Sequence, residues 1–175
     1  MSTAWYFAYG SNMQSATLRG RRGIEYRRAL PGRVSGWRLV LDKPPLFPVG
    51  GAYANIVADP TAEVLGVLYE IAAADLEHID LSEAVPLGNY RRIRVVAQAL
   101  QAGDTVDAHT LTSELRDPSL QPTTRYMSLL IEGAREHGLP VDYVDYLRTV
   151  PSCVETPEAE ELRPLIDRLM RRPER

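Results

Sequence analysis

Strand-forming segments fill the first two-thirds of this 175-residue chain, and helix-forming segments gather in its last third. That order predicts an α+β fold rather than a doubly wound sheet, in which helices would have to alternate with the strands. Runs rich in β-branched and aromatic residues mark strands at 5–9, 24–30, 34–41, 52–58, 63–71, 90–100 and 105–112. Asp59-Pro60-Thr61-Ala62 and Gln101-Ala102-Gly103-Asp104 are turn signals, so the runs flanking each are expected to pair as hairpins. Residues 43–51 hold three prolines and two glycines and read as a loop suited to a rim or a lid. About six short antiparallel strands would remove their exposed edges by curling into a barrel.

A helical turn is expected near 14–18, and helices over 72–83, 123–137, 141–150 and 158–171. Gly138 and Pro140 stop the helix that ends at His137. The last helix places Leu162, Leu165, Ile166 and Leu169 at i, i+3, i+4 and i+7, a stripe that should pack on something. No repeat or linker interrupts residues 1–175, which are expected to form a single domain.

With 45 % apolar residues the chain can bury a substantial core. Its net charge of −3 argues against nucleic acid or an acidic membrane surface as a partner. Arginine supplies nineteen of the 20 basic residues, and Lys43 is the lone lysine. Cys153 has no second cysteine with which to form a disulfide. The N-terminus shows no signal-peptide pattern, and no apolar run approaches the roughly 20 residues that span a bilayer. A soluble, cytoplasmic protein is expected.

Two places in the chain could carry chemistry. In Trp5-Tyr6-Phe7-Ala8-Tyr9-Gly10-Ser11-Asn12 a strand runs into a tight polar turn. Gly10 admits backbone angles that a Cβ would forbid, which lets Tyr9, Ser11 and Asn12 aim their amides at one spot. Such a nest suits a carboxylate or a developing oxyanion, although the same sequence also describes an ordinary strand-turn. The second place is Glu83. On a helix over 72–83 it shares a narrow face with Ala72, Leu76 and Ile79, away from Glu77 and Ser82. A carboxylate turned toward the core loses solvation and becomes the proton acceptor that a general base must be. A helix that ended early would instead leave it facing solvent.

Gly88-Asn89-Tyr90 opens the next strand and brings Tyr90 near Glu83. Tyr126 begins the helix whose apolar face carries Leu129, Leu130, Gly133 and Ala134, and its hydroxyl could reach a pocket or tie down a loop. Other chemistries find no support. His78, His109 and His137 are too dispersed for metal-ligand spacing, and neither a phosphate-binding loop nor a G-x-S-x-G elbow occurs. Cys153 has no adjacent base, and strand alternation separates Arg91 from Arg92 and Arg94, which read as solvated charges.

Taken together, these residues resemble a known family. Tyr6-Phe7-Ala8-Tyr9-Gly10-Ser11-Asn12-Met13 is similar to the N-terminal signature of the γ-glutamylcyclotransferases and their relatives. The resemblance continues through Gly51-Ala52-Tyr53-Ala54-Asn55-Ile56, Glu63-Val64-Leu65-Gly66-Val67-Leu68-Tyr69, Asp80-Leu81-Ser82-Glu83-Ala84-Val85 and Gly88-Asn89-Tyr90. Tyr126, then Gly133-Ala134-Arg135-Glu136-His137-Gly138-Leu139-Pro140, looks like the C-terminal helices of the glutathione-pathway branch.

The resemblance implies a small mixed β-barrel flanked by helices, with a cavity at one mouth. It implies a cofactor-free reaction in which a γ-glutamyl compound's own α-amine attacks its γ-carbonyl, releasing 5-oxoproline and an amine or amino acid. Glu83 matches the catalytic glutamate. Tyr9, Gly10, Ser11 and Asn12 match the loop whose amides hold the γ-glutamyl group, and Tyr90 and Tyr126 match aromatic positions lining the pocket. No metal is implied, the partner is a small molecule, and a homodimer stays open. Relatives tend to carry an aromatic residue on the strand that here reads Asp107-Ala108-His109-Thr110-Leu111-Thr112, so that strand and the loop at 43–51 are expected to meet the departing half of the substrate. An amidohydrolase of the same fold, with Glu83 activating water, and a non-catalytic small-molecule binding module are the alternatives.

Overall fold

The computed structural model describes residues 2–47 and 50–169. Its strands are β1 (Thr3–Ala8), β2 (Tyr26–Lys43), β3 (Tyr53–Ala72), β4 (Arg91–Ala99) and β5 (Thr105–Thr112). They close into a barrel in the order β1-β3-β2-β4-β5. β1 runs parallel to β5, and every other pair is antiparallel. The α+β barrel is therefore present, with five strands instead of about six and one parallel seam. Closure leaves no open edge and buries Tyr6, Phe7 and Ala8 of β1.

The lower strand count has a specific cause: the runs at 24–30 and 34–41 fall in one strand, β2, and those at 52–58 and 63–71 in one strand, β3. Residues 52–58 and 63–71 do not pair with each other as a hairpin; both pair with β2, from Tyr26↔Ile71 to Lys43↔Tyr53. The turn at residues 59–62 remains as an excursion between the pairs Ser35↔Glu63 and Trp37↔Ala58, opposite Gly36. Thr61 N–H still donates to Asp59 Oδ1 at 3.0 Å, as turn chemistry predicts. The expected hairpin of β4 and β5 does form, from Arg91↔Thr112 to Gln98↔Thr105.

Among the described residues four helices flank the barrel: α1 (Asp75–Ser82), α2 (Thr124–Glu136), α3 (Val141–Thr149) and α4 (Pro157–Leu169). α2 is capped by Thr123, whose hydroxyl accepts the Tyr126 N–H at 3.1 Å. A Cβ at Gly133 would lie 2.6 Å from Gln14 N and Met13 C, so glycine lets α2 seat directly on the polar turn that follows β1. Leu130 and Ala134, on the same face, are fully buried, a placement worth roughly 1.5–3 kcal/mol for a leucine. The helical turn expected near 14–18 is placed later: a short turn at Ser11–Met13 precedes it, and Ala16–Arg21 overlaps only its second half.

α1 is shorter than its expected span: Ala72 ends β3, and Ser82, assigned to the solvent side, is buried. The stripe on α4 is also corrected. Leu162, Leu165 and Leu169 are exposed, and the helix instead turns Ala159, Arg163, Ile166 and Asp167 toward a cavity at the barrel mouth. Among the described residues no helix is long and apolar enough to cross a membrane.

Candidate active site

Glu83 is the C-cap of α1, its N–H donating to Ile79 O at 3.0 Å. The helix ends early, yet the side chain does not turn to solvent. Ala84, at φ +55°, and Gly88, at φ +73°, bend the following loop back against the barrel. Asn89 holds that loop shut, its side-chain amide donating to Glu83 O at 2.9 Å and its N–H to Ala84 O at 3.2 Å. The Glu83 side chain is left only 16 % exposed.

One carboxylate oxygen is fully engaged. Glu83 Oε1 accepts from Arg22 Nη2 at 2.8 Å and from Asn12 Nδ2 at 3.0 Å. The other Asn12 Nδ2 hydrogen goes to the Tyr6 hydroxyl at 3.1 Å, and Arg22 Nε reaches Asn12 Oδ1 at 3.4 Å. Among the described residues, Glu83 Oε2 accepts no hydrogen bond. The carboxylate is thus fixed through one oxygen and presents the other to a cavity of about 40 Å³.

Tyr6, Tyr9, Gly10, Ser11, Asn12 and Glu83 line that cavity together with Tyr90 and Tyr126, so every site residue expected from the sequence comes to one place. Their local roles differ from expectation in two respects. Gly10 has φ −112°, an angle open to any residue, so backbone freedom is not what requires glycine there. Space is the reason: a Cβ would lie 3.1 Å from the Tyr126 hydroxyl and 3.3 Å from Ala54 Cβ. Second, the turn's amides are partly occupied. Those of Met13 and Gln14 close the turn onto Gly10 O and Ser11 O.

The tyrosines are anchored as well as exposed to the cavity. Tyr126 Oη accepts the Ala54 N–H at 3.1 Å, while Tyr90 Oη donates to Ala54 O at 2.8 Å. Tyr9 Oη donates to Leu111 O at 2.6 Å. Burial pushes all three phenols, and Tyr6, above the ordinary tyrosine range, with the Glu83 charge adding to the rise. They are neutral hydrogen-bonding groups at any ordinary pH.

A larger cavity of about 160 Å³ shares Ser11, Glu83, Tyr90 and Tyr126 with the first, so the two are halves of one depression. Lys43, Pro45, Leu46, Phe47 and Gly50 line it, which places the loop at 43–51 on its rim; Pro48 and Val49 lie outside the described residues. The strand at 107–112 is not on this side. Thr110 is fully buried with its hydroxyl on Phe7 O at 2.8 Å, and of that strand only Leu111 lines the smaller cavity. Arg125 and α4 stand where β5 was expected.

Sequence reasoning overlooked Tyr6, Arg22 and Lys43. Arg22 stands in the basic run Arg19-Gly20-Arg21-Arg22-Gly23, and nothing local links it to a carboxylate 61 positions away. Lys43 is 1 % exposed, its ammonium donating to Pro44 O at 2.7 Å and to Asn89 Oδ1, and lying 4.8 Å from the Tyr90 ring centre. Burial lowers it to about 8, against the opposing pull of Glu83. Its standing as the lone lysine among nineteen arginines was the available signal.

Arg22→Met should remove the cation beside a carboxylate that is mostly withdrawn from water. A hydrogen bond to a charged group is worth about 1.5–3 kcal/mol. At about 2–4 °C per kcal/mol for a chain of this size, the melting temperature should drop by roughly 3–12 °C. An unchanged calorimetric melt would show that the pair contributes nothing to the fold.

The AIG2-like family profile matches residues 63–147. The chain is 31 % identical over 173 residues to the γ-glutamyl cyclotransferase aclK of Aspergillus oryzae, a match covering 87 % of this chain and 63 % of that protein. It is 28 % identical over 168 residues to the γ-glutamylcyclotransferase of Bos taurus, covering 92 % and 86 %. It thus spans less than two-thirds of the fungal relative and most of the bovine one. A solved γ-glutamyl cyclotransferase structure shares the fold at a TM-score of 0.80 and 24 % identity, covering 95 % of this chain and 99 % of that one. By sequence the chain is similar to the AIG2-like proteins and the γ-glutamylcyclotransferases, and it shares the fold of the solved cyclotransferase structure.

Proposed function

We propose that this protein is a cofactor-free γ-glutamylcyclotransferase that converts a γ-glutamyl amino acid or amine to 5-oxoproline and the free amine, within the cytoplasm. The observation that carries this reading is the half-occupied carboxylate of Glu83, one oxygen clamped by Arg22 and Asn12 and the other open to the cavity. The attacking α-amine is mostly ammonium at neutral pH and must lose a proton before it is nucleophilic. Glu83 Oε2 takes that proton. The nitrogen lone pair then forms the new bond to the γ-carbon, and the carbonyl π electrons move to its oxygen. Collapse of the tetrahedral intermediate breaks the bond to the departing nitrogen, to which Glu83 gives its proton, and the emptied carboxylate takes the remaining ammonium proton of the ring nitrogen and passes it to the released amine.

Donors at the turn of residues 9–12 suit the oxyanion, and the buried phenols of Tyr90 and Tyr126 shape the wall. Because nucleophile and electrophile belong to one molecule, the site has mainly to bend the glutamyl chain toward a five-membered ring. The names of the fungal and bovine relatives support the same reaction class.

Incubation with a panel of γ-glutamyl compounds in ¹⁸O-water, followed by mass spectrometry, tests the reading. The expected product is unlabelled 5-oxoproline. Glutamate carrying solvent oxygen would replace cyclisation by hydrolysis, and binding without any product would leave a binding module.

A further inference from the structure

We propose that Lys43 selects the departing half of the substrate by receiving a carboxylate there, so that γ-glutamyl amino acids react in preference to γ-glutamyl amines of the same size. This rests on the cyclotransferase reading and deepens it. An ammonium carries three donors. Two of those on Lys43 are used, on Pro44 O and on Asn89 Oδ1. Among the described residues the third meets no oxygen acceptor; the ammonium lies 4.8 Å from the ring centre of Tyr90, and the side chain, 99 % withdrawn from solvent, lines the larger cavity. A buried charge with an unfilled donor is costly unless a ligand supplies the acceptor.

The position singles out the departing half. Lys43 lines the larger cavity and is absent from the smaller one, where the turn at residues 9–12 and the open oxygen of Glu83 meet. Glu83 and Tyr90 line both cavities, so a glutamyl group held in the smaller one would place its departing half at their shared wall, on the side that Lys43 lines. Arg125, on the same wall, makes no hydrogen bond or ion pair with any described residue. Counted with Arg21, Arg22 and Arg163, the wall carries five cations against the carboxylates of Glu83, Glu155 and Asp167. In a chain of net charge −3 that local excess favours an acidic guest.

The test compares γ-glutamyl-L-alanine with γ-glutamylethylamine, which differ by one carboxylate. Wild-type protein should favour the alanine compound roughly ten- to hundredfold in kcat/KM, the range of one hydrogen bond between charged groups. In Lys43→Met that ratio should fall to near unity, and in Lys43→Arg most of it should remain. Damage to folding or to the Glu83 loop would lower both substrates together and leave the ratio standing, which overturns the assignment, as does a wild type without preference. Calorimetric binding of both compounds to Glu83→Gln, with and without Lys43→Met, gives a second measure that needs no turnover. If wild-type protein forms no 5-oxoproline, the cyclotransferase reading falls. The Lys43 assignment then stands if Lys43→Met abolishes the binding preference for the alanine compound, and falls if it does not.

Discussion

Glu83→Gln should leave the fold intact and reduce 5-oxoproline formation by about 10²–10⁴-fold, the usual cost of losing a general base. The amide oxygen can still accept from Arg22 Nη2 and Asn12 Nδ2, the two contacts that fix Oε1. What disappears is the second oxygen, which becomes an NH₂ that cannot take the ammonium proton. Shape and anchoring are therefore retained while the chemistry is lost. The measurement is kcat on the best substrate of the panel, with a thermal melt beside it to register any structural damage. More than a tenth of wild-type turnover would remove Glu83 from the mechanism, because among the described residues no other carboxylate lines the smaller cavity.

Gly10→Val should cost about 10²-fold in kcat/KM, the penalty typical of displacing a reacting group by about 1 Å. The backbone there, at φ −112°, tolerates any residue, so the effect is one of volume. The Cβ alone meets the Tyr126 hydroxyl at 3.1 Å, and the γ-methyls of valine would extend into the smaller cavity itself. Tyr126 cannot withdraw cheaply, since its oxygen is held by the Ala54 amide at 3.1 Å and α2 is seated on the turn through Gly133. Gly10→Ala should lie between wild type and valine, and Tyr126→Phe combined with Gly10→Ala should recover part of the loss by freeing the space. Turnover in Gly10→Val within threefold of wild type would mean that substrate binds elsewhere.

The sequence was most legible where structure is local. Thr123, Gly138 and the spacing of Tyr126, Leu130 and Ala134 define α2 almost to the residue, because capping, a left-handed stop and a 3.6-residue period all act within a few positions. The β4–β5 hairpin follows from its turn in the same way. The turn at residues 9–12 and Glu83 were legible as candidate chemistry, and the tertiary structure brings them together at one cavity. Three features were decided by the fold alone. Residues 52–58 and 63–71 pair with β2 instead of with each other, and the β1–β5 seam is parallel, because strand pairing is a competition among distant partners that no local pattern ranks. Gly10 is needed for the room that Tyr126 leaves it, a fact of packing between β1's turn and α2. Nothing local in the sequence marks Arg22 or Lys43 as buried, because their burial depends on what the barrel mouth places around them, namely the Glu83 carboxylate for one and Asn89 and Tyr90 for the other. Residue type and local period set which segments become strands and helices; desolvation and close packing between remote segments set which of their side chains become a site.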